Sequence, residues 1–199
     1  MKKPAITQVP VNETIANRWS GRAYDASKPV SREQIIALLE AARWAPSCYG
    51  DQPWRFIVWD KNSDAAAWQQ GFDCLAPGNQ SWVINAPVLL LTVAGSLFTH
   101  NGTPNRWGQY DTGAAAENLC LQAASMGLMA HQMGGFDVDK ARATFAIPVE
   151  YTPMAMVAVG YQADIASLNG EVLERETAPR KRHELGELFF NGSWGQPVI

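Results

Sequence analysis

Apolar residues recur along the chain at spacings that predict helices. Ser31 and Gln34 form a capping box, a pair that marks the start of a helix. Four apolar residues then follow at helical spacing before Pro46 ends the run: Ile35, Leu38, Leu39 and Ala42. The pattern therefore predicts a capped amphipathic helix that exits into a loop at residues 45–51. A short helix is predicted before it, at residues 11–18.

Runs rich in apolar, aromatic and β-branched residues predict the strands. They lie at residues 56–59, 88–93 and 154–159, and residues 129–135 form a further candidate strand that ends in a Gly-Gly turn. The run at 88–93 is apolar apart from Thr92, as expected for a strand that is covered on both faces. Residues 76–81 are polar and carry glycine and proline, which favours a loop.

The second half of the chain is predicted to hold a central helix. Residues 113–128 mix Ala, Gly, Leu and Met on nearly every side, which indicates a helix that its neighbours approach closely. Asp137 can cap a further helix at residues 138–145, which Pro148 ends. Strands and helices that are interspersed in this way favour an α+β layer fold.

The C-terminal segment differs from the rest, because after Gly160 the chain becomes polar and charged. Residues 184–194 hold apolar side chains without the periodic pattern of a core: Leu185, Leu188, Phe189 and Phe190. We therefore expect an arm that lies on another surface.

Composition limits the class of protein. A chain of 199 residues is long enough for one domain, which we place at residues 1–199. Hydrophobic residues make up 47% and charged residues 18%, unlike a disordered chain. The net charge of −3 argues against a nucleic-acid or anionic-membrane partner, which needs a clustered excess of Lys and Arg.

Cysteine usage and the apolar runs indicate the compartment. The three cysteines, Cys48, Cys74 and Cys120, are widely separated and form no C-x-x-C pair, so we expect neither disulfides nor a metal site. The N-terminus lacks the apolar run of a signal peptide, and no segment is apolar for long enough to span a bilayer. A soluble, cytoplasmic protein is expected.

The sequence offers little for catalysis by side chains alone. None of the three histidines, His100, His131 and His183, lies in a nucleophile elbow or at metal-ligand spacing, and no Walker or Rossmann loop occurs. We therefore expect no catalytic side chain, and a cofactor that supplies the chemistry.

Three separated motifs, at residues 18–22, 45–54 and 133–137, carry a resemblance. They read Arg-Trp-Ser-Gly-Arg, Ala-Pro-Ser followed by Gln-Pro-Trp, and Met-Gly-Gly-Phe-Asp. Together and in this order they resemble the nitroreductase family. The resemblance implies a central, mainly antiparallel sheet flanked by helices, and a homodimer in which the C-terminal arm wraps the partner. It also implies FMN at the dimer interface, and NADH or NADPH as donor in a ping-pong reduction of small acceptors such as nitroaromatics or quinones.

By this resemblance, the FMN phosphate is held from both ends of the chain. Arg18, Trp19 and Ser20 belong to the first motif, and Arg180 and Arg182 occupy the family's C-terminal basic position. Guanidinium groups bind a phosphate through charge-assisted hydrogen bonds. The alternative for the basic run is a solvated surface patch, and the alternative for Ser20 is a helix-end cap.

The flavin ring would meet groups from the first and third motifs, and the resemblance suggests a weaker assignment for residue 79. Arg22 resembles the residue at the pyrimidine edge, where a positive charge stabilises the reduced ring. Asn79 resembles an amide that contacts the same ring, although a plain turn residue is an equal alternative. Gly134 and Gly135 follow Met133 against one ring face, and the N–H of Gly135 would point at N5 and assist the chemistry there. Many relatives carry Glu where Gly134 stands, and the alternative for the pair is an ordinary turn.

The loop at residues 45–51 would come from the partner subunit. Pro46, Ser47 and Cys48 would pack along the flavin and its ribityl chain. Gly50 stands where the family has Asn, so that hydrogen bond would come from the backbone or from Asp51 instead. For Cys48 a packing role is favoured over a redox role, and Cys120 is expected in the core.

The acceptor site is predicted from the length of one segment. Only residues 96–109 are available for the lid that larger family members build, which predicts an open, permissive pocket. Trp107 and Tyr110 are candidate wall residues, with aromatic core anchors as the alternative. Two other functions stay open: a protein that stores or senses flavin, and a flavin enzyme with another outcome, such as dehalogenation, enone reduction or flavin fragmentation.

Overall fold

A four-stranded antiparallel sheet organises the molecule, whose computed structural model describes residues 3–199. The strands are β1 (Trp54–Asp60), β2 (Val88–Gly95), β3 (Met129–Met133) and β4 (Tyr151–Gly160). Their order across the sheet is β1-β2-β4-β3, and each neighbouring pair is antiparallel. Together with the helices on its faces, this sheet confirms the predicted α+β class.

Eight helices surround the sheet within the described residues. They are α1 (Glu13–Asn17), α2 (Arg32–Arg43), α3 (Ala65–Phe72), α4 (Pro77–Val83), α5 (Gly108–Ser125), α6 (Val138–Thr144), α7 (Gly170–Thr177) and α8 (Leu185–Leu188). Short 3-10 turns occur at Cys48–Gly50 and Ile165–Ser167.

The sheet separates two hydrophobic cores. Leu89, Leu91 and Val93 of β2 face the core that also contains Trp68 of α3. Val88 and Leu90 face the opposite core, which α2 and α5 complete through Leu38, Ala42, Ala115 and Leu119. All eight residues of β2 are buried. The prediction of a strand covered on both faces is therefore confirmed.

The predicted helix caps are present as hydrogen bonds. Ser31 Oγ accepts the Gln34 N–H at 3.2 Å, and Gln34 Oε1 accepts the Ser31 N–H at 2.9 Å, so the capping box of α2 is complete. The Asp137 carboxylate accepts the Lys140 N–H at 2.9 Å and caps α6. Both caps confirm helix starts that were predicted from sequence.

The region between β1 and β2 is more helical than predicted. Residues 76–81 were expected to form a loop, but they lie largely in α4, whose first residue is Pro77. Proline suits this position because the first helical N–H has no partner inside the helix. Helix α3 was not predicted; it is held by the buried side chains of Trp68 and Phe72.

Helix α5 also begins five residues before the predicted start at residue 113. Its first residue, Gly108, packs directly on the end of β2. A Cβ added to Gly108 would lie 2.1 Å from the Gly95 carbonyl oxygen, so only glycine fits at this contact.

Two classes of feature are absent from the described part of the chain. Within residues 3–199, no helix is long and apolar enough to cross a membrane. Over the same residues, no group of three or more His, Cys, Asp or Glu side chains could hold a metal ion.

The contact at Gly108 generates a stability prediction with a control on the same helix. Gly108→Ala should lower the free energy of unfolding by about 3 kcal/mol, because its Cβ meets backbone that cannot move aside. Gly113→Ala has open space around the new Cβ. It should be neutral or stabilising by up to about 1 kcal/mol. Urea unfolding measures both, and equal effects of the two substitutions would contradict the contact.

Candidate functional site

The segment at residues 18–22 follows α1 and is held by a carboxylate from the far end of the chain. The N–H of Arg22 donates to Glu176 Oε1 at 2.7 Å. Gly21 is buried beneath this contact, and a Cβ there would lie 2.2 Å from Met129 Sδ and 2.9 Å from Glu176 Oε2. The glycine in the first motif is therefore required by packing, and it fixes where the flanking arginine backbones lie.

Arginine side chains gather beside this segment. Arg180 donates from one terminal nitrogen to the carbonyl oxygens of Lys3 at 2.9 Å and Ala16 at 2.6 Å. Burial, followed by the nearby charges of Arg18 and Arg182, lowers the pKa of Arg180 below its usual value. Arg18 has one carboxylate partner, since its Nε lies 3.0 Å from Glu117 Oε1. The structure thus brings the two predicted basic stretches together as a cluster of like charges.

Ser20 and Trp19 lie at the edge of this cluster. Helix α1 is capped by Asn12 at its start and ends at Arg18, so Ser20 is not a helix cap, and that alternative is wrong. The Ser20 side chain is exposed. Trp19 is half-buried, and Lys3 Nζ lies 4.5 Å from its ring centroid.

Arg22 borders a second group of side chains on α4 and β3. Its guanidinium carbon lies 5.8 Å from the Trp82 ring centroid, and Trp82 packs on the His131 ring at 4.6 Å. His131 Nδ1 lies 2.9 Å from the Gly21 carbonyl oxygen. Because a carbonyl only accepts, we assign the proton of the neutral ring to Nδ1. His131 therefore also supports the arginine segment.

The Gly-Gly pair lies at the end of β3, beyond the buried Met133. Asn79 Nδ2 donates to the Gly135 carbonyl oxygen at 2.9 Å, and a Cβ on Gly135 would approach that same nitrogen to 2.6 Å. Gly134 has open space around it. Among the described residues, no acceptor is found for the Gly135 N–H. An exposed stretch of main chain with a free donor therefore lies beside Asn79.

Asn79 differs from its prediction in setting. The sequence predicts a polar loop here, with Asn79 either in contact with the flavin ring or as a plain turn residue. In the structure, Asn79 lies in the first turn of α4. Its amide holds the backbone at Gly135, next to the side of α4 that carries Trp82. The loop assignment is wrong, while its predicted contact with the ring stays a prediction.

The loop at residues 46–52 is positioned by α5. The Cys48 N–H donates to Asp111 Oδ2 at 3.0 Å, and Ser47 Oγ accepts the Gln52 N–H at 3.0 Å. Gly50 has a φ of 67°, a conformation that glycine adopts readily. In the part of the chain that is described, no hydrogen bond or ion pair joins this loop to the segment at residues 18–22. The flavin-facing roles of Pro46, Ser47, Cys48 and Gly50 stay predictions.

Asp51 is committed to the neighbouring segment. Its carboxylate is buried and accepts hydrogen bonds from the Thr99 N–H at 2.9 Å and the Thr99 hydroxyl at 2.6 Å. Asn105 Nδ2 is 3.4 Å from its other oxygen. These bonds tie residues 99–105 to the loop, while the expected contact of Asp51 with the cofactor stays a prediction.

Trp107 and Tyr110 are both exposed, at 40% and 77% of their surface. The alternative that they anchor the core is therefore wrong, and their role as pocket walls stays a prediction. Cys120 is buried as expected, and burial raises the pKa of its thiol to about 12. All three cysteines are free thiols.

A cavity of about 240 Å³ opens beside the arginine cluster. It is lined by Arg18 and Trp19, by Cys120 and Ala124 of α5, and by the start of β3. The cavity therefore combines apolar side chains with the charge of Arg18, and small-molecule sites commonly pair an apolar lining with a few polar groups.

Comparison with known proteins identifies the family. The model of the nitroreductase family matches residues 15–161. An NADH dehydrogenase/NAD(P)H nitroreductase of Methanothermobacter thermautotrophicus is 30% identical over 163 residues, which cover 80% of this chain and 81% of that protein. The chain belongs to the nitroreductase family.

Two further similarities describe the extent of the match. A solved structure of an oxidoreductase containing FMN superposes with a TM-score of 0.88 at 34% identity, over 96% of each chain. A 15.4 kDa protein of Mycolicibacterium smegmatis is 41% identical over 93 residues, which span 47% of this chain and 63% of that protein. The similarity in fold therefore extends over nearly the whole chain.

Several residues that position the site were not identified from sequence. Glu176, Asp111 and His131 each bond to a backbone group of a predicted motif, at Arg22, Cys48 and Gly21. Asp111 had a weak signal, since an acidic residue in the first turn of a helix is common. Glu176 had none, because it lies in a charged helix and its partner is 154 positions away.

His131 generates a prediction for the pH dependence of stability. Burial lowers the pKa of His131; the hydrogen bond to Gly21 opposes this shift, and the Arg22 charge adds to it. The unfolded chain then takes up a proton near about pH 6.5, and the folded chain does so only at lower pH. The free energy of unfolding should therefore fall as the pH drops below about 6.5. Above that pH, the contribution of His131 to stability should not change with pH.

Urea unfolding at several pH values tests this effect. In His131→Asn, an amide N–H can still reach the Gly21 carbonyl, but the titration is removed. The wild type should lose more stability on acidification than this variant. Parallel pH profiles for the wild type and His131→Asn would contradict a neutral, buried His131.

Proposed function

We propose that this protein is an FMN-dependent oxidoreductase that uses NADH or NADPH to reduce small acceptors such as nitroaromatics and quinones by a ping-pong mechanism. The observation that carries the proposal is the cluster of Arg18, Arg180 and Arg182 beside the apolar cavity. Burial and the nearby charges of Arg18 and Arg182 lower the pKa of Arg180, and a bound anion would offset this concentration of positive charge. A phosphate with nearly two negative charges fits such a cluster.

The residues present fit FMN at both ends of the molecule. Arg18 uses its Nε for Glu117, which leaves its terminal nitrogens for the phosphate. Arg180 uses one terminal nitrogen for backbone carbonyls and keeps its remaining donors. Arg182 donates only to the Lys181 carbonyl among the described residues. The exposed Ser20 hydroxyl adds a further hydrogen-bond donor to this set.

Around the ring, the chain supplies a fixed charge and a main-chain donor. Arg22 is held through its own N–H and by its contact with Trp82, so its guanidinium stands ready for the pyrimidine edge. The Gly135 N–H has no acceptor among the described residues, and the open space around Gly134 leaves room for close approach. When bound, FMN would supply the hydride- and electron-transfer chemistry, while Arg22 and the Gly135 N–H would orient the ring and tune its potential.

The homodimer is part of the proposal. The site formed by one chain is open, because Gly134 and Gly135 are exposed and, within the described residues, no hydrogen bond or ion pair joins the loop at residues 46–52 to the segment at residues 18–22. The C-terminal arm, residues 184–194, exposes Leu188, Phe189 and Trp194. A partner subunit would close the open site with its own loop. The two C-terminal arms would each lie across the other chain, which would cover their apolar side chains. We also propose a cytoplasmic location, where the three free thiols stay reduced.

Reduction by a nicotinamide donor tests the proposed activity. The purified protein should be yellow, should lose its flavin absorbance on anaerobic addition of NADPH or NADH, and should regain it when a quinone is added. A panel of quinones and nitroaromatics should contain several acceptors, since the short 96–109 segment leaves the pocket open. A bound flavin that neither NADH nor NADPH reduces would indicate flavin storage. Reduction of the flavin without turnover of any acceptor would contradict the permissive pocket.

The phosphate site is tested by Arg182, which within residues 3–199 donates only to the carbonyl oxygen of Lys181. Arg182→Ala should weaken FMN binding by about 10-fold to 100-fold, the value of one charge-assisted hydrogen bond, while riboflavin binding stays unchanged. Arg175→Ala is the matched control, because Arg175 lies on the exposed side of α7 with Glu171. Calorimetric titration measures both ligands. Equal losses for FMN and riboflavin would contradict a phosphate contact.

The dimer is tested by sedimentation at micromolar protein concentration. The chain should sediment as a dimer, and removal of residues 184–199 should shift it toward the monomer, because the apolar arm is lost. A wild-type monomer under these conditions would contradict the proposed interface.

A further inference from the structure

Glu176 is a buried carboxylate in a helix that otherwise faces solvent. It lies in the last turn of α7 and is 2% exposed, whereas every other residue of α7 is exposed or half-buried. Acidic side chains are rarely buried without a partner, because removing a charge from water is costly. The contacts that compensate Glu176 therefore indicate why it is there.

Those contacts are with the first motif. Oε1 accepts the Arg22 N–H at 2.7 Å, and Gln162 Nε2 lies 3.4 Å from Oε2. The site of a Cβ on Gly21 is 2.9 Å from Oε2, so the carboxylate fills the space that glycine leaves open. Within residues 3–199, no lysine or arginine forms an ion pair with Glu176. Its charge is satisfied mainly by backbone, as in carboxylates that fix a loop.

Glu176 also lies four residues before Arg180 and six before Arg182. The two chain segments are thus joined at two points: by Glu176 to the Arg22 N–H, and by Arg180 to the Ala16 carbonyl at 2.6 Å. Lys3 adds a third link, because its Nζ donates to the Glu176 carbonyl oxygen at 2.7 Å and its own carbonyl accepts from Arg180. The positions of Arg18 relative to Arg180 and Arg182 are set by these links.

We propose that Glu176 is a positioning residue that holds the arginines from the two ends of the chain at the spacing a dianionic phosphate requires. The proposal rests on the proposed function and names a determinant of its preference for FMN over the unphosphorylated flavin. Glu176 does not touch the ligand. It acts through the Arg22 backbone and through the course of the chain from α7 to Arg182.

The sign of the effect separates positioning from direct electrostatics. A carboxylate near a phosphate repels it, so neutralising Glu176 without moving anything would leave FMN binding unchanged or make it tighter. If FMN binding weakens when the acceptor is withdrawn, the loss comes from displaced arginines. Glutamine and aspartate separate the two changes, since glutamine keeps an acceptor at the same reach and aspartate keeps the charge but is one methylene shorter.

The test compares FMN with riboflavin in the full-length protein. In Glu176→Asp, the ratio of the riboflavin Kd to the FMN Kd should fall about 10-fold, because one well-placed charge-assisted hydrogen bond is lost. In Glu176→Gln, the ratio should stay within about 3-fold of the wild type or rise, since repulsion is relieved. Glu174→Gln, on the exposed side of the same helix, is the matched control and should change neither Kd.

Each outcome decides the matter. An unchanged ratio in Glu176→Asp overturns the positioning role, as does a ratio in Glu176→Gln that falls as far as in Glu176→Asp. Thermal unfolding of each variant reports stability separately, and if Glu176→Asp does not fold, Glu176→Ala replaces it: this variant also withdraws the acceptor and should lower the ratio, whereas an unchanged or higher ratio overturns the positioning role. If the wild-type protein binds FMN no more tightly than riboflavin, the proposed function is contradicted. If the wild type prefers FMN and Glu176→Asp keeps that preference, only the positioning role of Glu176 is contradicted.

Discussion

Electrostatic repulsion among arginines is the constraint on which the rest of the site depends. Arg18 follows the first helix, and Arg180 and Arg182 follow α7, yet they lie close enough that Arg18 and Arg182 help to lower the pKa of Arg180. The fold tolerates this arrangement because backbone carbonyls and one half-exposed glutamate occupy part of the donor set. The remaining donors need an anion. In the proposed enzyme that anion is the cofactor phosphate, so cofactor binding and the alignment of the chain termini stabilise each other.

Around this cluster, the chain uses few side chains for chemistry and many for position. Asn79 holds the backbone of the Gly-Gly turn, Asp111 holds the loop at Cys48, and His131 holds Gly21. Each bond is to main chain rather than to a side chain, so the proposed ligand would meet amides and glycines whose places are fixed. This arrangement is expected where a cofactor carries the reaction, because the protein then serves mainly to position it on rigid elements.

Local patterns were sufficient to predict the elements that local chemistry determines. The capping box of α2, the cap of α6 and the buried run of β2 follow from short stretches of sequence, and each is present. Helices α3 and α4 were missed because Gly78, Asn79 and Ser81 favour turns, and tertiary burial of Trp68, Phe72 and Trp82 outweighs that preference. β4 begins before the predicted residue 154, at Tyr151, because a register shift beside Val93 accommodates Pro153. The site motifs could be found through family resemblance, but not Glu176, whose burial results from a contact across 154 positions.

The most direct test of the arginine clamp is the protonation state of the FMN phosphate when it is bound, followed by ³¹P NMR as the pH is lowered from about 8 to about 5. The second pKa of a free phosphate monoester is about 6, so the free ligand changes its resonance across this range. If guanidinium groups from both ends of the chain hold the dianion, the bound resonance should stay constant throughout. A bound phosphate that titrates near about pH 6, as the free ligand does, would contradict the clamp.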